Sequence, residues 1–279
     1  MEEYISDNSL YIRSKNNSMI NRKMIGRVLG MLLFIELGMF LLCAGVSAGY
    51  GESDYKYFLY TCIINAVVGG LLLLYGRGAE NKMSRRDGYC VVTLSWVFFT
   101  FFGMLPFYFS GSIDTITNAF FETMSGFTTT GATILDDIES LSHGMLFWRS
   151  LTQWIGGLGI VFFTIAILPI FTTGGVQLFS AESTGVTHDR THPKINVMAK
   201  WLWTIYLVLT VSETVLLMFG GMSLFDAICQ SFATTATGGY STKQNSISYW
   251  NSPYIEYVVA IFMIVSSINF SLFLMCLKG

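Results

Sequence analysis

Long apolar runs separated by short polar stretches are the first pattern in this chain. A bilayer core requires about 20 apolar residues per crossing helix. Five runs reach that length, at roughly 24–48, 57–77, 89–110, 146–171 and 198–220. A sixth covers roughly 253–277. Two further segments, roughly 115–126 and 224–234, have helical length but are too short to cross. They have the size of re-entrant helices. The pattern predicts an all-α polytopic membrane protein.

Composition agrees with that reading. The chain is 52% hydrophobic and only 12% charged, against about 25% charged residues in soluble domains. Its mean hydropathy is +0.54. The net charge of −2 gives nucleic acid no basic surface. The first 23 residues are polar and lack the apolar core and small-residue site of a cleavable leader. The cysteines at 43, 62, 90, 229 and 276 lie singly in or beside apolar runs, so they read as packing residues.

Charge placement sets the topology. Basic residues near span ends stay on the cytoplasmic side. With the N-terminus inside, 13 of the 16 Lys and Arg fall in cytoplasmic segments. Only Lys56, Arg149 and Lys243 lie elsewhere. This holds only if the two short segments dip in and return on one side. The outer face is then acidic. It carries Glu52, Asp54, Asp114, Asp136, Asp137, Glu139 and Asp226, with Glu122 and Glu256 near it. Carboxylates at a mouth raise the local cation concentration; Asp136, Asp137, Glu122 and Asp226 are the candidates for that role.

The short segments belong to a duplication. Ala119 and Ala227 are 108 positions apart, and the same shift takes Gly131 to Gly239 and Thr133 to Ser241. Each copy runs from a helix-length stretch into a Thr/Gly loop. Loop backbone at membrane depth is tolerated only where protein buries it or where it lines a watery path. Such loops can present carbonyl oxygens in place of an ion's hydration shell.

The stretches SGFTTTGAT (125–133), FWRSLTQWIGGLGI (147–160), ATTATGGYST (233–242) and SINFSLF (267–273) resemble the Trk/Ktr/HKT superfamily of potassium transport proteins. Within it the chain is most similar to the bacterial Trk potassium-uptake transmembrane subunits, and the likeness runs from about residue 24 onward. That family has four helix–pore-helix–filter–helix repeats around a pseudo-fourfold axis. Here the resemblance implies a cytoplasmic N-terminus over 1–23 and a two-helix unit over 24–88. A first pore repeat follows over 89–171, a cytoplasmic loop over 172–197 and a second pore repeat over 198–279. Two repeats make half of such a pore. The expectation is a fragment of a longer protein, since the chain stops abruptly at Lys278 and Gly279. Assembly of two copies and an inactive chain are the other options.

The resemblance also implies the function and the site. Potassium would be the transported ion, taken up across the inner (cytoplasmic) membrane with no cofactor and no covalent chemistry. The ion ligands would be the backbone carbonyls of Thr129, Thr130, Gly131, Thr237, Gly238 and Gly239. Partners implied are the remaining pore repeats, a cytosolic nucleotide-binding ring, a homodimeric mate and the lipid bilayer. A symporter coupled to H⁺ or Na⁺ and a non-conducting regulatory or assembly subunit are the alternatives. An intramembrane enzyme is disfavoured, because the six spans contain no Asp and no His.

Other residues have expected structural roles. Glu36 and Glu213 lie in apolar spans, where a hydrogen bond between helices or a protonated carboxyl facing protein is expected. Arg149 is expected to brace Glu122 or another outer carboxylate. Gly156, Gly157 and Gly159 form a close-approach face. Trp148 and Trp154 fit an interfacial belt. Asn118 and Asp226 are placed as helix caps. His188 and His192 lie in the polar loop 180–196, with too few ligands for a metal site.

Overall fold

The computed structural model describes residues 20–79, 84–159 and 195–268. Within them the regular structure is helical. Helix α1 spans Arg22–Gly49, α2 Tyr55–Tyr75, α3 Arg85–Gly103 and α4 Leu105–Phe109. The short α5 spans Ile116–Phe127 and α6 spans His143–Gly157. Helix α7 covers Ile195–Phe219, the short α8 Leu224–Thr235 and α9 Pro253–Ser267. A 3₁₀ turn at Ser246–Trp250 precedes α9. Four of the described segments are long and apolar enough to cross a membrane: Arg22–Gly49, Tyr55–Tyr75, Arg86–Phe109 and Trp201–Phe219. The expected spans at 146–171 and 253–277 are described only as α6 and α9. The remainder of each, with the loop holding His188 and His192, lies outside the described residues.

Local sequence fixes the helix starts. Ser84 and Asp87 form a capping box on α3, and Asp87 Oδ1 also accepts the Asn21 amide at 2.8 Å. That contact ties the start of α1 to the start of α3. Thr115 caps α5 by accepting from Asn118 N, and Ser223 caps α8 by accepting from Asp226 N. The caps are therefore Thr115 and Ser223. Asn118 and Asp226 sit three residues later and present the amides being capped. A side chain at the true N-cap position reaches the N3 amide, and the sequence reading was displaced by one turn.

Helices α1, α2, α3, α5 and α6 share one apolar core, and α7, α8 and α9 build a second cluster around Leu217, Ala227 and Ile255. Trp148 is fully buried in the first. Its ring lies 4.6 Å from Phe40 and 6.0 Å from Phe127, and its indole N–H donates to Gly103 O at 2.8 Å. This corrects the interfacial assignment of Trp148: the indole donor is satisfied by protein rather than by a headgroup. Trp154 is half-buried and donates to Thr210 Oγ1 at 3.1 Å. The two membrane carboxyls each accept a hydrogen bond from a neighbouring helix. Glu36 accepts from Asn65 Nδ2 at 3.0 Å, linking α1 to α2, and Glu213 accepts from Thr235 Oγ1 at 3.4 Å, linking α7 to α8.

Both short helices leave and return on one side. Glu52, in the α1–α2 turn, accepts the His143 and Gly144 amides at 2.8 and 3.2 Å. The start of α6 therefore lies beside the end of α1. Trp148, in the second turn of α6, reaches Gly103 at the end of α3, which is the side from which α5 departs. In the second unit, a Cβ on Gly220 would come within 2.7 Å of Ile255 and 2.9 Å of Tyr254. The end of α7 thus abuts the start of α9. The ring of Phe225, at the start of α8, lies 5.6 Å from Tyr50 at the end of α1, so both units open on the same face.

Candidate functional site

The two helix–loop units match residue for residue under the shift of 108 (224 − 116 = 235 − 127 = 108). At the end of α5, Thr128 N donates to Met124 O at 2.8 Å, Thr129 N to Gly126 O at 2.9 Å and Thr130 N to Ser125 O at 2.9 Å. At the end of α8, Ala236 N donates to Phe232 O at 3.2 Å, Thr237 N to Thr234 O at 2.9 Å and Gly238 N to Ala233 O at 2.8 Å. This is a Schellman ending, which places the residue after the C-cap in the left-handed region. Thr129 and Thr237 occupy that position, with φ of 53° and 54°. Two residues on, Gly131 and Gly239 are also left-handed, with φ of 76° and 88°. Each loop therefore turns left-handed at alternate residues.

Sequence reasoning assigned the positive φ to the glycines alone. A β-branched residue in that region costs about 1–2 kcal/mol, so Thr129 and Thr237 gave no signal. The helix-ending hydrogen bonds are what hold them there.

The loops touch each other. A Cβ on Gly131 would land on the carbonyl oxygen of Gly238. Gly131 is thus required twice, by its dihedral and by this contact. Thr130, Thr237 and Gly239 are exposed, Thr129 and Gly131 half-buried and Gly238 buried. Among the described residues, no donor reaches the carbonyl oxygens of Thr129, Thr130, Gly131, Thr237, Gly238 or Gly239. Two nearby oxygens are used by the protein itself. Ala132 O accepts from Ser125 Oγ at 2.6 Å and Ser241 O accepts from Arg149 Nη1 at 2.9 Å.

One face of α6 supports both loops. Arg149, Thr152, Gln153, Gly156 and Gly157 recur at helical spacing on a single stripe. Arg149 Nε pairs with Glu122 Oε1 at 2.7 Å, and its guanidinium carbon sits 3.6 Å from the centre of the Tyr240 ring. Tyr240 Oη donates to Glu122 O at 2.8 Å. Thr152 packs on Gly126. Gln153 Oε1 accepts from Tyr240 N at 3.0 Å. Side chains on Gly156 and Gly157 would strike Phe127 O and Ala236, where the two short helices end. The glycine face read from the sequence thus admits the ends of both units at once.

Glu122 is not a mouth charge. It is buried, paired with Arg149, and accepts from Thr133 Oγ1 at 2.9 Å and Ile134 N at 3.0 Å. A carboxylate in that position is neutralised locally and holds the loop rather than projecting a field. Asp136 and Asp137 are exposed on the loop after α5. Asp226 is half-buried and accepts from Ser223 Oγ and Thr242 Oγ1, both at 2.7 Å. Nearby, Lys243 pairs with Glu139 at 3.1 Å and Gln244 Oε1 accepts from Ile138 N at 3.0 Å, stitching together the loops that follow α5 and α8. Partial burial pushes the Lys243 ammonium down, but Glu139 outweighs it and holds the group above the ordinary lysine range.

Two short helices among longer apolar ones, each handing its end to a left-handed Thr/Gly loop, define an all-α polytopic membrane protein. The chain belongs to the TrkH family of cation transport proteins, whose model matches residues 55–278. It is 42% identical over 257 residues to the Trk system potassium uptake protein TrkH of Escherichia coli strain K12, covering 91% of this chain and 53% of that protein. It is 32% identical over 252 residues to TrkG of the same organism, covering 90% and 52%. The crystal structure of the potassium transporter TrkH from Vibrio parahaemolyticus superposes with a TM-score of 0.77 at 34% identity, over 91% of this chain and 51% of that one. The chain therefore spans about half the length of the relatives it matches.

Proposed function

We propose that this chain forms half of a potassium-uptake pore. The two loops supply two sides of a four-sided ring of backbone oxygens. Thr129, Thr130, Gly131, Thr237, Gly238 and Gly239 carry the ion-binding carbonyls. The observation that supports this most is the contact of Gly131 with the Gly238 carbonyl, between loops of matching left-handed conformation whose oxygens no described residue occupies. Loop carbonyls that no protein donor engages can stand in for the hydration shell of an ion.

The surroundings suit a cation. A helix C-terminus carries about half a negative charge, and α5 and α8 end where the loops begin. Asp136 and Asp137 add charge on the entry side. Potassium passes down its electrochemical gradient, and the protein contributes no acid, base or nucleophile. The chain sits in the inner membrane with its N-terminus in the cytoplasm. Two further pore units, from a continuation of the chain or a second copy, complete the ring. A nucleotide-binding ring on the cytoplasmic face and a homodimeric mate fit the same family pattern.

The test is potassium-limited growth of an uptake-deficient bacterium carrying this chain in its assembled transporter. Restored growth with measurable potassium influx is expected. Absence of influx, with the protein present in the membrane, overturns the reading.

A further inference from the structure

The two loops are supported from behind by different means. In the first, Ser125 Oγ donates to Ala132 O at 2.6 Å. The shift of 108 takes Ser125 to Ala233, which has no hydroxyl, and Ala132 to Tyr240. The second loop therefore lacks that strut. In its place Gln153, projecting from α6, accepts the Tyr240 amide at 3.0 Å.

Three observations make Gln153 more than a packing residue. Its side chain is fully buried. Its carboxamide lies flat against Gly238, since a Cβ there would fall on the amide carbon and within 2.7 Å of Nε2. The Tyr240 amide is a donor, so Oε1 must face it, and the orientation of the carboxamide follows. That orientation leaves Nε2 buried beside Gly238 with no hydrogen-bond partner among the described residues. A buried donor left unpaired is disfavoured. A leucine would remove that donor but would also give up the Tyr240 contact.

The Gly238 peptide is thus clamped. Gln153 presses on it from α6, and Gly131 meets its carbonyl oxygen from the first loop. The length and polarity of one side chain set how far that oxygen stands from α6. Selectivity depends on the size of the carbonyl cage and on the number and field of its oxygens. We infer that Gln153 is a positioning residue for the second loop, one that fixes the depth of the Gly238 carbonyl and so sets discrimination between potassium and sodium. The inference rests on the proposed filter.

The test uses rubidium uptake by the assembled transporter under sodium competition, normalised to protein in the membrane. Gln153→Leu removes both the acceptor and the donor. Its sodium inhibition constant, relative to the rubidium KM, is expected to fall by about tenfold, the lower end of what pocket geometry achieves between close analogues. Gln153→Glu keeps an oxygen for the Tyr240 amide and is expected to lie within about twofold of the native ratio. A purely structural role would lower abundance and maximal rate and leave the ratio alone. A native ratio in a Gln153→Leu protein that reaches the membrane overturns the inference. Should that variant fail to reach the membrane, Gln153→Asn decides: it keeps both polar atoms on a shorter stem, and a native ratio again overturns the inference. Gly131→Ser is run in parallel. If it shifts the ratio while the Gln153 variants do not, only this inference fails. If neither shifts it, the filter assignment fails as well.

Discussion

Arg149 Nε lies 2.7 Å from Glu122 Oε1, and both side chains are buried. The same guanidinium donates to Ser241 O at 2.9 Å and stacks on Tyr240. One cation thus joins the first short helix to the second loop. Removing one member of a buried pair leaves an uncompensated charge and costs about 3–5 kcal/mol. Arg149→Leu is expected to destabilise by that order. Arg149→Lys is expected to fail nearly as badly, because an ammonium cannot reproduce the forked contact with Glu122 and Ser241. Thermal unfolding in detergent checks both; a lysine variant as stable as the native protein contradicts the brace.

Gly131 admits no side chain. Gly131→Ser places a Cβ on the Gly238 oxygen at a left-handed φ of 76°. Weakened discrimination against sodium is expected, visible as sodium inhibition of rubidium uptake. Unchanged selectivity counts against the site.

Thr129 behaves oppositely. It already carries a Cβ at a φ of 53°. Thr129→Gly relieves left-handed strain of about 1–2 kcal/mol and gives back about 0.5–1 kcal/mol through greater unfolded-state freedom. A net gain of about 0–1.5 kcal/mol is expected from unfolding curves. A net loss would mean that the threonine side chain itself holds the loop.

Glu52 carries an acid-dependent contact. Partial burial raises its pKa, but the His143 and Gly144 amides and the His143 ring outweigh this and hold it below the ordinary carboxylate range. The contact therefore adds stability above the ordinary carboxylate pKa and loses it as pH falls through the lowered folded value. The stability gap between native protein and Glu52→Gln is expected to narrow on acidification. A gap that stays constant or widens contradicts the assignment.

Much of the architecture was legible because apolar periodicity and a duplication at a fixed offset are both linear signals. The short helices fall within a residue or two of the segments read from the sequence, and the offset of 108 holds down to single hydrogen bonds. What was not legible depends on orientation across the fold. Glu122 looked like a mouth charge because sequence does not show that the loop after α5 folds back over it. Trp148 looked interfacial because its partner, Gly103 O, is 45 residues away. The stripe on α6 could have been found, since Arg149, Thr152, Gln153, Gly156 and Gly157 share one helical face. A polar stripe inside an apolar span must meet something polar.

The most direct test is to locate the ion. Crystals of the assembled transporter grown with rubidium should give an anomalous peak about 3 Å from the carbonyl oxygens of Thr130, Gly131, Gly238 and Gly239, on the scale of oxygen coordination to a large alkali cation. Rubidium peaks elsewhere along the pore, with none between these two loops, would contradict the account.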